Sequence, residues 1–292
     1  MEEYQRMFVF LDNRTVPESE AVVSVYDHGF LYGDGIYETM RAYGGVVFML
    51  RRHIERLARS ASMIGLKLPE EGKIIDAIYQ TLGANDLSEA YIRITVSRGK
   101  GPIGLDPGLC REPTFIVITE QFRGYPVSCR EKGMRLILAK TRRNAIEAVD
   151  PKIKSLNFLN NILAKKEAKE KGADEAIMLN TAGFLTEGTV CNIFFVGDGV
   201  LFTPSTEAGI LDGITRGLVI ALAREIGIPV EEGMFRPADL FRATEVFFTN
   251  TSAEIMPVAS VDNVGFRPGE VAGRLSALYR KAVDEYIRDN KK

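Results

Sequence analysis

The chain has 292 residues, with 37 Lys and Arg against 39 Asp and Glu, 3 Cys, 2 His and no Trp. A formal charge of −2 argues against a nucleic-acid binder, which needs clustered positive charge to displace counterions. Cys110, Cys129 and Cys191 make neither a disulfide framework nor a zinc pattern, and His28 and His53 cannot supply a three-histidine metal site or, with no G-x-S-x-G elbow present, a Ser-His-Asp hydrolase.

At about 150 residues per domain, the length suggests one large domain or two ordinary ones. Residues 1–6 are acidic and polar, and no apolar run approaches the ~20 residues of a membrane span, so a soluble, cytoplasmic protein is expected. Alternating and β-branched runs predict strands at 7–11, 46–49, 91–97, 114–119, 135–139, 175–179, 191–196, 200–203 and 245–249. Amphipathic spacing predicts helices over 50–64, 157–171, 215–226 and 270–289, the first three followed by Gly65, Gly172 and Gly227 at the left-handed cap position. The turns at 180–183 and 197–199 predict a meander in the second half, and residues 289–292 read as a frayed end. This order fits a mixed α/β (α+β) fold, with a small N-terminal domain over 1–122, an interdomain loop over 123–133 and a larger C-terminal domain over 134–292.

Five segments carry chemistry. Residues 99–104 fit G-x-G-x-x-G, but Pro102 and Pro107 block the helix that a dinucleotide site requires, leaving a glycine-rich loop behind Arg98. Lys152 and Lys154 precede a predicted helix whose macrodipole they oppose, with Leu156, Leu159 and Leu163 on one face. Glu187 lies in an otherwise apolar strand pair, either buried and in need of a partner or exposed in a turn. Gly213 precedes a helix start at Ile214 and Thr215, an anion site or an ordinary cap. Residues 249–254 form a polar turn able to present further N–H groups.

Together these segments resemble the class IV (fold-type IV) pyridoxal-phosphate-dependent aminotransferases, most nearly the branched-chain amino acid aminotransferases. The resemblance rests on Tyr-Gly-Asp-Gly-Ile-Tyr-Glu at 32–38, His-Ile-Glu-Arg-Leu at 53–57, Tyr-Ile-Arg at 91–93, Lys-Ser-Leu-Asn at 154–157, Glu-Gly-Thr at 187–189, Gly-Ile-Thr-Arg at 213–216 and Thr-Ser-Ala-Glu at 251–254, in the family's order. It implies a two-domain enzyme with pyridoxal 5′-phosphate at the domain interface. Lys154 matches the lysine whose amine condenses with the cofactor aldehyde and then shuttles the substrate proton. Arg56, Gly213, Ile214, Thr215 and Thr251 match the phosphate cradle. Glu187 matches the carboxylate at the pyridine nitrogen, with Asn192 beside it and Leu211 packed on the ring.

On the substrate side, Thr251, Ser252 and Ala253 match the turn that receives the α-carboxylate, and Tyr91 and Arg93 the Tyr-x-Arg pair nearby. Tyr37, with Phe30 and Ile36, matches an apolar pocket, and Arg98 is a possible carboxylate holder. Tyr32 matches a residue that reaches the neighbouring subunit's site, so a homodimer is implied. His53 is expected to support Arg56, and His28 has no assigned role. The chain departs from the family at Phe158, where a tyrosine is usual, at Cys191, and at Asn250, where a glycine opens the turn. The implied reaction is ping-pong transamination between Leu, Ile or Val and 2-oxoglutarate. A D-amino-acid or (R)-amine transaminase, an aminodeoxychorismate lyase and a non-catalytic dimeric binding protein are the other readings.

Overall fold

The computed structural model describes residues 7–291, so residues 1–6, read above as lacking a signal core, lie outside the described residues. The chain separates into two compact units, one formed by Met1–Arg123, Ile153–Asn157 and Tyr286–Lys292, the other by Gly124–Lys152 and Phe158–Glu285. The segment carrying Lys154 thus groups with the N-terminal residues. The stretch 123–133, expected as a loop, contains a short helix, Val127–Lys132.

The first unit contains β1 (Phe8–Leu11), β2 (Arg14–Pro17), α1 (His28–Tyr32), β3 (Gly35–Tyr43), β4 (Val46–Val47), α2 (Leu50–Met63), α3 (Glu71–Ala84), β5 (Ala90–Ser97) and β6 (Thr114–Gln121). Its strands form one sheet in the order β2-β1-β6-β5-β3-β4. Side chains alternate across a strand, so Ile36, Met40 and Ala42 of β3 and Ile92, Ile94 and Val96 of β5 share one buried face. Leu57 and Ala61 of α2 and Ile74 and Ile78 of α3 pack in the same core. The opposite face carries Tyr37, Thr39 and Arg41 directly across from Thr95, Arg93 and Tyr91.

The second unit contains α4 (Val127–Lys132), β7 (Met134–Leu138), α5 (Leu159–Glu170), β8 (Glu175–Leu179), β9 (Leu185–Gly188), β10 (Asn192–Gly197), β11 (Val200–Pro204), α6 (Ile214–Glu225), β12 (Val230–Gly233), α7 (Pro237–Phe241), β13 (Glu245–Asn250), β14 (Glu254–Val261), β15 (Val264–Gly265) and most of α8 (Glu270–Asn290). The strand path β10-β13-β14-β7-β8-β9 returns to β10 through the pair Asn192 and Glu187, so this part of the sheet closes on itself. Both parallel steps that follow a helix, β7 to β8 through α5 and β11 to β12 through α6, are crossover units. The expected turn at 180–183 joins antiparallel β8 and β9, and that at 197–199 joins β10 and β11.

Gly65, Gly172 and Gly227 take φ of 58°, 66° and 75°, as their cap positions predict. Two expectations are corrected. Leu159, Ile162 and Leu163 of α5 are exposed, because the helix packs inward through Ala164 and Ala168 onto Ala176 and Met178. The expected frayed end is helical as far as Asn290. No helix among the described residues is long and apolar enough to cross a membrane.

Candidate active site

Lys154 lies on an extended strap that precedes α5, which begins only at Leu159, so the lysine is not on the helix. The strap runs along β3. Tyr37 N–H donates to Lys154 O at 2.9 Å, Leu156 N–H donates to Gly35 O at 2.9 Å, and Lys154 N–H donates to Ser60 Oγ of α2 at 3.1 Å. Glycine at position 35 permits this approach, since a Cβ there would lie 2.7 Å from Leu156 Cδ1 and 2.8 Å from Val96 O. The Lys154 ammonium donates to the Tyr37 hydroxyl at 3.2 Å. The guanidinium of Arg93 sits 4.2 Å from the centre of the Tyr37 ring. Burial pushes the Tyr91 phenol up, partly offset by the charge and hydrogen bond of Arg93. Four of the expected residues, Lys154, Tyr37, Tyr91 and Arg93, therefore meet on one face of the first sheet.

Arg56 lies one turn before Ser60, on the inner side of α2. Its Nε and Nη2 donate to the two oxygens of Glu38 at 2.7 and 2.8 Å, and His53 Nδ1 lies 2.9 Å from Glu38 Oε2. Glu38 is the charged residue on the otherwise apolar face of β3 and is fully buried. Burial acts to raise its pKa, but the Arg56 charge and hydrogen bond, then His53, hold it well below the usual carboxylate range. Burial lowers His53, with Glu38 pulling the other way, so His53 is a neutral ring whose contact with Arg56 runs through the carboxylate.

Both shifts act on stability in the same direction. A depressed Glu38 contributes stability above its unfolded value, lost as pH falls towards the folded value. A depressed His53 makes the unfolded state the better proton binder below about 6.5. We expect thermal stability to fall as pH drops from 7 to 5, and His53→Gln to flatten that fall. A wild-type Tm independent of pH over this range would contradict the assignment.

In the second unit, Glu187 is buried and partnered. Arg143 reaches Glu187 Oε1 through Nε and Nη2, both at 3.0 Å, while Leu211 N–H and Asn192 Nδ2 donate to Oε2 at 3.1 and 3.3 Å. Asn192 Nδ2 also donates to Leu211 O at 3.0 Å, so Asn192 fixes both the carboxylate and the loop before α6. Gly213 caps α6 with no side chain and packs so closely that a Cβ would collide with Asn192 Oδ1. The first-turn N–H groups at Ile214 and Thr215 thus face no capping side chain from Gly213. Thr249 pairs directly with Asn192 across β13 and β10 and points to the same sheet face, and its buried hydroxyl has no partner among the described residues. In the turn after β13, Asn250 Oδ1 accepts the N–H groups of Ser252 at 3.0 Å and Ala253 at 2.7 Å. The amides expected at Ser252 and Ala253 for a substrate carboxylate are thus already engaged.

Arg98, expected beside the substrate, is held by other parts of the chain. It is 7 % exposed, and all three of its nitrogens are used. Nε and Nη2 bind Asp34 at 2.9 and 3.0 Å, Nη1 donates to Gly65 O at 2.7 Å, and Nη2 donates to Ile64 O at 2.8 Å. A cation on the carbonyl end of α2 complements the helix dipole. Arg98→Ala is expected to lower stability by roughly 1–3 kcal/mol through stranded polar groups while leaving KM for the amino donor unchanged. A raised KM with unchanged Tm would restore the substrate role.

His28 gains a role, since its Nε2 lies 2.9 Å from Pro102 O and its ring packs edge-on to Tyr32. Tyr32 accepts the Gly104 N–H at 3.2 Å, so both residues hold the glycine-rich loop. Sequence reasoning missed Arg143, and it read Thr249 only as the start of a polar turn, not as a hydroxyl on the sheet face. Arg143 has no fixed spacing to Glu187, and a lone strand threonine carries no signal.

The chain matches the family model for class IV amino-transferases over residues 35–261. It is 47 % identical over 257 residues to a putative branched-chain-amino-acid aminotransferase of Methanocaldococcus jannaschii, covering 88 % of each. It is 32 % identical to an aminodeoxychorismate lyase of Bacillus subtilis (96 % of each). It is 34 % identical to a D-alanine aminotransferase of Staphylococcus epidermidis (97 % of this chain, 98 % of that protein). Among solved structures, the branched-chain aminotransferase of Thermoproteus uzoniensis with norvaline superposes with a TM-score of 0.90 at 37 % identity (97 % and 98 % covered). The branched-chain amino acid aminotransferase of Thermobaculum terrenum in its PLP form gives 0.83 at 29 % identity (96 % and 94 %). The chain belongs to the class IV aminotransferase family and is an enzyme, a transaminase.

Proposed function

We propose that the chain is a pyridoxal-phosphate-dependent transaminase that moves an amino group between branched-chain L-amino acids and 2-oxoglutarate. The observation that carries this reading is the Lys154 ammonium at the Tyr37 hydroxyl, flanked by Arg93 and Tyr91. The donor set suits the cofactor. In the first unit, a primary amine suits an aldehyde and the Arg56 guanidinium suits a phosphate. In the second unit, the α6 N-terminus, with an orphaned threonine hydroxyl on the neighbouring sheet face, also suits a phosphate dianion, and a buried carboxylate suits a ring nitrogen.

The cofactor, when bound, supplies the aldehyde for amine exchange and an electron-withdrawing ring. The strap positions the Lys154 amine, which would carry the proton that leaves the substrate α-carbon. Arg56 in the first unit, and Ile214 and Thr215 in the second, would hold the phosphate, with Glu38 fixing the angle of Arg56. Glu187 would hold the ring nitrogen, with Arg143 supplying the balancing positive charge, and Leu211 would pack on the ring. The turn Thr251, Ser252 and Ala253 would receive the α-carboxylate, and Tyr37 would border the side-chain pocket.

Two further parts of the reading have their own support. All three Arg98 nitrogens are engaged within the first unit, which counts against Arg98 as the carboxylate holder of the D-amino-acid alternative. Phe30, Ile103 and Leu105 are 73, 75 and 82 % exposed, and with Val22 and Val25 they give the first unit an exposed apolar set. A homodimer that covers it is the proposed assembly, with Tyr32 at the partner's site. Sedimentation of the wild type and Phe30→Asp checks this.

The function is tested by a donor panel of L-Leu, L-Ile, L-Val, D-Ala and an (R)-amine with 2-oxoglutarate, alongside an assay of pyruvate release from aminodeoxychorismate. Turnover of the three L-amino acids at least about tenfold above the others supports the proposal. Preference for D-Ala, or pyruvate release alone, replaces it.

A further inference from the structure

The turn between β13 and β14 opens on Asn250, and its side chain folds back over the residues that follow. One oxygen, Oδ1, collects two successive backbone donors, Ser252 N–H at 3.0 Å and Ala253 N–H at 2.7 Å. The Tyr125 phenol neighbours the same side chain, and Tyr125 itself packs against the core of the second unit. The far end of the turn is equally fixed. Ala253 is fully buried, and Glu254, at φ 59°, is held between Arg130 at 3.6 Å and Arg280 at 3.5 Å. A turn whose consecutive amides converge on a single acceptor has the form of a small anion nest, and here a neutral amide oxygen of the chain itself fills it.

We propose that Asn250 is a specificity-determining residue that competes with the substrate's α-carboxylate for the Ser252 and Ala253 amides. The proposal rests on the reading that this turn receives the carboxylate. A carboxylate is the stronger acceptor, because charge-assisted hydrogen bonds are roughly twice as strong as neutral ones, so it displaces Oδ1. The displacement breaks two internal hydrogen bonds and moves a side chain that lies beside Tyr125. That cost falls on every substrate bearing an α-carboxylate and on none without one. Asn250 therefore narrows the affinity gap between amino acids and simple amines, and a side chain without an acceptor widens it.

The test uses the cofactor-loaded enzyme and two ligands of one shape, 4-methylvalerate and its uncharged amide 4-methylvaleramide, with dissociation constants read from the cofactor absorbance. Asn250→Ala keeps a Cβ and removes the acceptor. It is expected to tighten 4-methylvalerate about 3- to 10-fold, the worth of one net hydrogen bond, to lower KM for L-Leu by the same factor, and to leave the amide ligand unchanged. Asn250→Asp keeps the turn geometry and places a negative charge at the amides. It is expected to weaken 4-methylvalerate at least tenfold and the amide ligand little. If the aspartate variant weakens the carboxylate but the alanine variant fails to tighten it, the turn is the carboxylate site and Asn250 does not compete, which overturns the proposal alone. If neither variant changes carboxylate binding, the reading of the turn falls with it.

Discussion

A Lys154→Ala enzyme is expected to lose transaminase activity by at least about 10³-fold, since in the proposed function a single amine performs both the covalent capture and the proton transfer. The strap is fixed by hydrogen bonds from Tyr37 N–H to Lys154 O, from Leu156 N–H to Gly35 O and from Lys154 N–H to Ser60 Oγ, and the Lys154 side chain lies on the Tyr37 ring with Nζ 4.4 Å from the ring centre. Borohydride reduction followed by mass spectrometry checks the covalent role. The wild type should retain the cofactor mass on the peptide containing Lys154, and the variant should not. A small soluble amine such as methylamine should restore part of the lost rate. Near-normal turnover in the variant, with no added amine, would remove Lys154 from the chemistry.

Glu38→Ala is the substitution expected to damage stability most. It leaves a guanidinium and an imidazole buried without their shared acceptor, in the middle of an apolar sheet face. Breaking one side of a buried charge pair costs about 3–5 kcal/mol. Glu38→Gln keeps an acceptor and should cost roughly half as much, while Glu38→Leu combined with Arg56→Met replaces the pair with apolar volume and should recover stability relative to Glu38→Ala. Urea unfolding midpoints order the variants. An alanine variant that unfolds at the wild-type midpoint would mean that the buried pair contributes nothing. The double variant separates fold from function, because it should be stable yet bind phosphorylated cofactor poorly.

The elements legible from sequence were those with one period and a clear stop, namely α2, α5 and α6 with their trailing glycines, and strands such as β5, β8 and β11. The elements that escaped lack those marks. α3 starts behind Glu70 without a side-chain cap and carries Gly72 and Gly83 inside it. β14 contains Pro257, which counts against a central strand, yet its pairing with β7 is irregular between Val258 and Ser260. β3 is buried along nearly its whole length and holds Glu38, so neither alternation nor an apolar run reveals it. The site residues were legible as types and spacings within a familiar order. Their partners were not, because Arg143 reaches Glu187, and Glu38 reaches His53 and Arg56, through contacts that arise only when distant segments fold together. For the same reason the partners of Arg98 were hidden. A basic residue beside a glycine-rich loop looks like an anion holder until the end of α2 is seen to consume it.

The strap has one more consequence, for the order in which the enzyme is made. Its partner Ile36 sits more than a hundred residues upstream of Ser155. A contact this long-range closes late, after its loop entropy has been overcome. During synthesis, every residue of the first sheet is available before Lys154 leaves the ribosome. A nascent chain can thus hold a finished sheet, and the Glu38–Arg56 pair with it, while still chemically inert. In the proposed function, covalent capture of the cofactor by Lys154 then marks that the chain has returned to its own beginning.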